Sequence, residues 1–97
     1  MFDFCAVKEG IPDDDVLEEL SLCISDAWRP LGRRLGIENA TLTSFHKQNE
    51  GLREKAYEML IYWKEKEGSN ATYQKLYDAL SHEFVNKKIL AEHLCCE

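Results

Sequence analysis

The sequence predicts an all-α fold, a compact bundle of six helices. Apolar residues recur at helical spacing in six stretches, and Gly or capping residues punctuate them. No stretch sustains the two-residue alternation that a half-buried strand would show. The 97 residues suffice for one domain with a modest core.

Two helices are predicted in the first third of the chain. Three aspartates at positions 13–15 follow Pro12 and open the first helix, since acidic residues complement the positive end of the helix dipole. Asp26 is expected to cap the second helix, Pro30 fits its first turn, and Gly36 ends it. The predicted inward residues are Val16, Leu17, Leu20, Cys23 and Ile24 in the first helix, and Trp28, Leu31 and Leu35 in the second.

The third helix is short, and its predicted inward pair is Leu42 and Phe45. Asn39 or Thr41 is expected to cap it. Asn39 opens one of two Asn-Ala-Thr triplets, and Asn70 opens the other. Both triplets match the acceptor pattern for N-glycosylation. Because each precedes a predicted helix and the N-terminus does not resemble a signal peptide, we interpret them as helix caps.

The fourth helix is predicted from about Leu52 to Glu67, and Gly68 ends it. Its apolar face is broad, which indicates contact with several neighbours and a central place in the bundle. Its predicted stripe is Leu52, Ala56, Met59, Leu60 and Trp63, widened by Tyr57, Ile61 and Tyr62. The predicted apolar residues of the fifth helix are Tyr73, Leu76, Tyr77 and Leu80. Those of the sixth helix, which follows Asn86, are Ile89, Leu90 and Leu94.

Composition narrows the classes of partner. A formal net charge of −6 argues against broad binding to nucleic acid and against direct contact with anionic membranes. No apolar run is long enough to span a bilayer. Cys23 is expected to be a small buried hydrophobe, and the adjacent pair Cys95 and Cys96 is a poor disulfide. With no disulfide framework, a reducing cytoplasm fits best, and the nucleus is the alternative.

No catalytic, cofactor or metal site is expected. His93, Cys95 and Cys96 lie close together, but the chain has no CxxC or HxxxH spacing typical of zinc sites. A Cys–His nucleophile at the C-terminus would have no Gly-rich oxyanion loop beside it.

Charge is distributed unevenly over the predicted helices. The first helix is acidic, the second is basic, and Lys87 and Lys88 add positive charge at the sixth. One interpretation is a solvated surface with some intramolecular pairing. The other is two oppositely charged patches that pair head-to-tail between molecules. The expected partner-binding residues are Asp14, Asp15, Glu18 and Glu19 in the acidic patch, and Arg29, Arg33 and Arg34 in the basic patch.

The order of these motifs resembles the death domain family. The stretch 28–37 (WRPLGRRLGI) is similar to the second helix of that family, where a Trp, two Leu and a terminal Gly with an aliphatic residue recur. The stretches 56–63 and 68–80 are similar to its fourth and fifth helices, and 89–94 to its sixth. The resemblance covers residues 12–95, preceded by a lead-in segment at 1–11.

The resemblance implies an antiparallel six-helix bundle with Greek-key topology. It also implies a homotypic interaction module that binds other death domains, can build higher-order oligomers and serves apoptotic or NF-κB-type signalling, without catalysis or cofactor. Two alternatives remain open. A small helical nucleic-acid-binding domain would show affinity that falls steeply with salt, and a passive structural bundle of a larger protein would not associate at all.

Overall fold

The computed structural model describes residues 6–24 and 26–97, which form six α-helices and one short 3-10 turn. The helices are α1 (Asp14–Cys23), α2 (Trp28–Arg34), α3 (Asn39–Gln48), α4 (Leu52–Glu67), α5 (Tyr73–Ser81) and α6 (Lys88–Cys95), with the 3-10 turn at Gly68–Asn70. These two ranges contain no named strand, and one isolated antiparallel bridge joins Val7 to Cys96. The all-α prediction is confirmed.

Helix α4 is the centre of the bundle. It packs against α1, α2 and α3, while α5 packs against α6 and α2, and α1 also contacts α6. Several of these pairs are distant in sequence, whereas an up-and-down bundle packs mainly consecutive helices. The arrangement is therefore the predicted six-helix Greek-key bundle, with α4 in the expected central position.

The core contains most of the residues that the apolar stripes predicted. Trp63 is 1% exposed and Trp28 is 4% exposed. Gly32 lies where α2 approaches α3 and α4 most closely, since a Cβ there would stand 2.6 Å from Cδ2 of Leu42. The largest fully buried apolar side chains include Leu17, Leu20, Ile24, Leu31, Leu42, Met59, Leu60, Leu76 and Leu80.

Three residues predicted to face inward are exposed. Cys23 is the last residue of α1, Leu52 is the first of α4, and Ile89 is the second of α6. Periodicity gives the angle of a side chain around its helix, but it does not show whether a neighbouring helix reaches that end. Near the end of α1, Ser21 is buried although Cys23 is exposed. The hydroxyl of Ser21 donates to the carbonyl of Glu18 at 2.6 Å.

The predicted helix stops are confirmed, but two predicted N-caps are wrong. Gly36 and Gly68 have φ of +89° and +56° at the ends of α2 and α4. The N-cap of α2 is Ala27, not Asp26. The N-cap of α3 is Glu38, not Asn39 or Thr41. Neither N-cap residue makes a side-chain hydrogen bond to its helix. The predicted cap is confirmed at α5, where the hydroxyl of Thr72 accepts from the amide of Lys75 at 3.2 Å.

Asp26 and Asn39 serve tertiary contacts instead. The carboxylate of Asp26 lies 3.4 Å from Nζ of Lys87, and the side-chain oxygen of Asn39 accepts from Nε of Arg33 at 3.0 Å. The first interaction joins segments that are distant in sequence, and the second joins α2 to the start of α3. Helix-start patterns reveal neither of them.

The segment before α1 is hydrogen-bonded to the bundle. The amide of Lys8 donates to the carbonyl of Cys95 at 2.8 Å, the amide of Glu97 donates to the carbonyl of Ala6 at 2.9 Å, and the carbonyl of Gly10 accepts from the amide of Tyr73 at 3.1 Å. Phe2, Phe4 and Cys5 lie outside the described residues. The domain boundary at residue 12 stays a prediction.

The cysteines near the C-terminus differ in state. Cys95 is a buried free thiol, and burial raises its pKa to about 11. Cys96 is disulfide-bonded. This disulfide was not predicted from the sequence, and the reducing compartment stays a prediction.

Candidate protein-interaction surfaces

The acidic surface is formed by four carboxylates of α1, namely Asp14, Asp15, Glu18 and Glu19, and all four are exposed. Lys64 lies 2.9 Å from Asp14, and Nε2 of His93 lies 3.6 Å from Glu19. Exposed pairs of this kind contribute little free energy, so a partner can replace them. Asp15 and Glu18 have no ion pair with any described residue.

The basic surface is formed by Arg29, Arg33 and Arg34 of α2. Arg29 and Arg33 are one turn apart and share a row of the helix, and Arg33 bonds Asn39 at the start of α3. Arg34 points to another side, where its guanidinium lies 5.5 Å from the ring centre of Phe84 in the loop between α5 and α6. The structure therefore divides the predicted patch into an α3 side and an α5–α6 side.

No described carboxylate neutralises the positive charge of this surface. Among residues 6–24 and 26–97, none of the ion pairs involves Arg29, Arg33 or Arg34. The guanidinium of Arg29 instead lies 5.4 Å from the ring centre of Trp28, an interaction that leaves its charge in place.

The two charged surfaces are carried by different parts of the bundle. Helix α1 packs on α4 and α6, whereas α2 packs on α3, α4 and α5. Both helices therefore rest on α4 while their charged side chains point to solvent. One molecule can consequently offer its acidic and basic surfaces to two different neighbours.

A buried lysine extends the positive region toward α3 and α4. The side chain of Lys55 is largely buried, and its Nζ lies 3.0 Å from Nδ1 of His46. Since an ammonium can only donate, the neutral imidazole accepts at Nδ1 and carries its proton on Nε2. The Lys55 charge, with smaller contributions from burial and from Arg29, lowers the pKa of His46 below its usual 6.5. Sequence reasoning missed this pair, because the two residues belong to different helices and match no local motif.

Exposed apolar side chains accompany the charges. Leu22 on α1 is 55% exposed, Phe84 in the α5–α6 loop is 66% exposed, and Ile89 on α6 is 84% exposed. Leu22 and Phe84 were not assigned a role from sequence. An exposed phenylalanine beside an arginine combines two residue types that occur often in protein interfaces.

The described residues offer neither a metal-binding cluster nor a membrane-spanning helix. The described part of the chain has no group of three or more His, Cys, Asp or Glu that could hold a metal ion. None of its helices is both long and apolar enough to cross a bilayer.

Comparison with known proteins identifies the class of this domain. The sequence model of the family described as Death domain matches residues 14–84, which is more than half of the chain. The chain therefore belongs to the death domain family, and the resemblance noted in its motifs is confirmed. Death domains are protein-interaction modules, and the six helices of this chain are consistent with that fold.

A curated protein of Xenopus laevis is similar to the chain. The chain is 30% identical over 80 residues to the Tumor necrosis factor receptor type 1-associated DEATH domain protein of Xenopus laevis. The match covers 72% of this chain and 25% of that protein. The chain thus spans about a quarter of the length of the relative it matches.

Proposed function

We propose that this death domain binds other death domains through its acidic and basic surfaces, and that it acts as an adaptor or scaffold in apoptotic or NF-κB-type signalling. The observation that carries the proposal is that Arg33 and Arg34 stay unpaired by any described carboxylate, while Asp15 and Glu18 stay unpaired on a different helix. Such surfaces favour a partner of the same class with the opposite charge.

The contact we propose is heterologous. The acidic surface of one domain faces the basic surface of the next, so each pairing leaves one surface of each kind open. Contacts of this type close into rings or continue as helical strings. Charge complementarity speeds encounter and excludes like-charged partners, and salt weakens it.

The proposal includes where the domain acts. We place it in the cytoplasm, with the nucleus as the alternative, and without nucleic-acid or direct membrane partners because the net charge is −6. The Xenopus relative is named for association with a tumor necrosis factor receptor. Signalling close to a receptor of that kind is the corresponding proposal for this chain.

A binding assay with a matched charge control tests the proposal. The chain would be immobilised and offered a panel of isolated death domains, alongside the variants Arg33→Glu and Arg53→Glu. Both arginines are exposed, and both changes alter the net charge equally, but Arg53 lies at the start of α4, outside the basic surface. We expect Arg33→Glu to lose the partners that the wild type and Arg53→Glu retain, with the melting temperature unchanged. Equal loss in both variants would show that only overall charge matters.

A further inference from the structure

Phe84 is exposed on a loop whose backbone is held in place. Its amide donates to Nδ1 of His82 at 3.1 Å, and the carbonyl of His82 accepts from the amide of Asn86 at 2.7 Å. The next residue, Val85, is buried in the core, and the amide of Lys87 donates to the carbonyl of Leu80 at 2.9 Å. The ring therefore projects from a fixed support, so binding a partner would cost little conformational entropy.

Two side chains flank the ring. The imidazole of His82 lies 4.9 Å from it, between ring centres, with the planes inclined at 57°. The guanidinium of Arg34 lies 5.5 Å from the ring centre. Phenylalanine and arginine are both enriched in protein interfaces. We call these three residues the Arg34–Phe84 surface.

The outer face of α1 has the complementary composition. Asp15, Glu18 and Leu22 are spaced at i, i+3 and i+7, which puts them on one face of the helix, and Glu19 lies beside them. All of them are exposed, Leu22 by 55%. The stripe is acidic along its length and ends in an aliphatic side chain.

We propose that Phe84 is the apolar anchor of a contact between two copies of this chain, in which it packs against Leu22 of the second copy while Arg34 faces the carboxylates of that copy's α1. The inference rests on the proposed function and deepens it, because it specifies the occupant and adds two apolar residues to a contact otherwise defined by charge.

A second copy is the occupant because both halves of the contact occur on one chain. The Arg34–Phe84 surface presents positive charge beside an aromatic ring, and the α1 stripe presents negative charge beside a leucine. The contact between Phe84 and Leu22 supplies binding affinity, because exposed ion pairs alone contribute little of it. Each copy keeps one open surface after pairing, so the contact propagates.

A pair of complementary variants isolates a single contact. Arg34→Glu disables the Arg34–Phe84 surface and leaves the α1 stripe, while Glu18→Lys disables the stripe and leaves the Arg34–Phe84 surface. Neither variant should associate with itself, but the mixture should form a 1:1 complex measurable by calorimetry. Phe84→Ala is then added to the Glu18→Lys chain, and Leu22→Ala to the Arg34→Glu chain. Ile89→Ala, added to either chain, is the control for loss of an exposed apolar side chain.

The expected result is a 1:1 complex that either alanine variant weakens by about tenfold or more. Because the two side chains contact each other, the loss of affinity with both changes should be clearly smaller than the product of the two single losses. Ile89→Ala should leave the affinity within about twofold. A 1:1 complex that Phe84→Ala leaves unchanged would overturn the anchor while the charged contact stands. Absence of any 1:1 complex would overturn the second copy as occupant, whereas the proposed function is decided separately by the death domain panel.

Discussion

At the scale of single residues, Trp63 contributes most to the core. It lies on α4, is 1% exposed, and is among the largest fully buried side chains. We predict that Trp63→Ala lowers the free energy of unfolding by about 3–5 kcal/mol, because it leaves a large cavity at the centre of the bundle. Urea unfolding followed by circular dichroism measures the loss, and Ile89→Ala should change stability by less than about 0.5 kcal/mol. A cooperative Trp63→Ala variant with unchanged stability would contradict the central position of α4.

His46 predicts a pH dependence of stability. Its pKa in the folded chain is below the usual 6.5, chiefly because of the adjacent Lys55 charge. The unfolded chain therefore binds the proton more readily, so the stabilising contribution is fully present above pH 6.5 and is lost as the pH falls through the folded pKa. Urea midpoints should decrease on going from about pH 7.5 to about pH 5.5, and less so in His46→Gln. Identical pH profiles for the two proteins would contradict this role.

Residue burial could be predicted from sequence where a side chain lies in the middle of a helix. Leu31, Leu60 and Trp63 are buried as their stripes predict. Leu52 and Ile89 are exposed because each lies at a helix end that no neighbour covers. Lys55 is buried despite its charge, since His46 from another helix accepts its hydrogen bond. Such coverage and pairing depend on tertiary neighbours, which residue spacing does not encode.

At the scale of helices, the ends could be predicted better than the beginnings. A glycine with positive φ is a conformational requirement, so Gly36 and Gly68 identify the ends of α2 and α4. An N-cap position can be filled by many residues when water satisfies the free amides. Ala27 and Glu38 fill it here without side-chain bonds.

Gly36 provides a clean test of the helix-end argument. It has φ of +89°, and a Cβ there would meet no heavy atom within 4 Å, so Gly36→Ala changes backbone strain alone. We predict a loss of about 1–2 kcal/mol in the free energy of unfolding. Gly51 has φ of −91° and equally open surroundings, so Gly51→Ala should be nearly neutral. Equal effects of the two changes in chemical denaturation would refute the explanation.

At the scale of the whole molecule, periodicity predicted six helices, but the topology came from the family resemblance. A stripe identifies the apolar face of a helix without naming the helix that covers it. The signs of the charged surfaces could likewise be predicted, because charge is a property of composition. The separation of Arg34 from the other two arginines could not be predicted, because it depends on Phe84 in a loop about 50 positions away along the chain.

The most direct test of charge-driven homotypic assembly is size-exclusion chromatography with light scattering over a range of protein and salt concentrations. We predict that the wild type and Arg53→Glu gain mass with protein concentration and lose it with salt, while Arg33→Glu stays monomeric at every condition. A wild type that remains monomeric throughout, or an Arg33→Glu variant that assembles as the wild type does, would contradict assembly of this chain through its two charged surfaces.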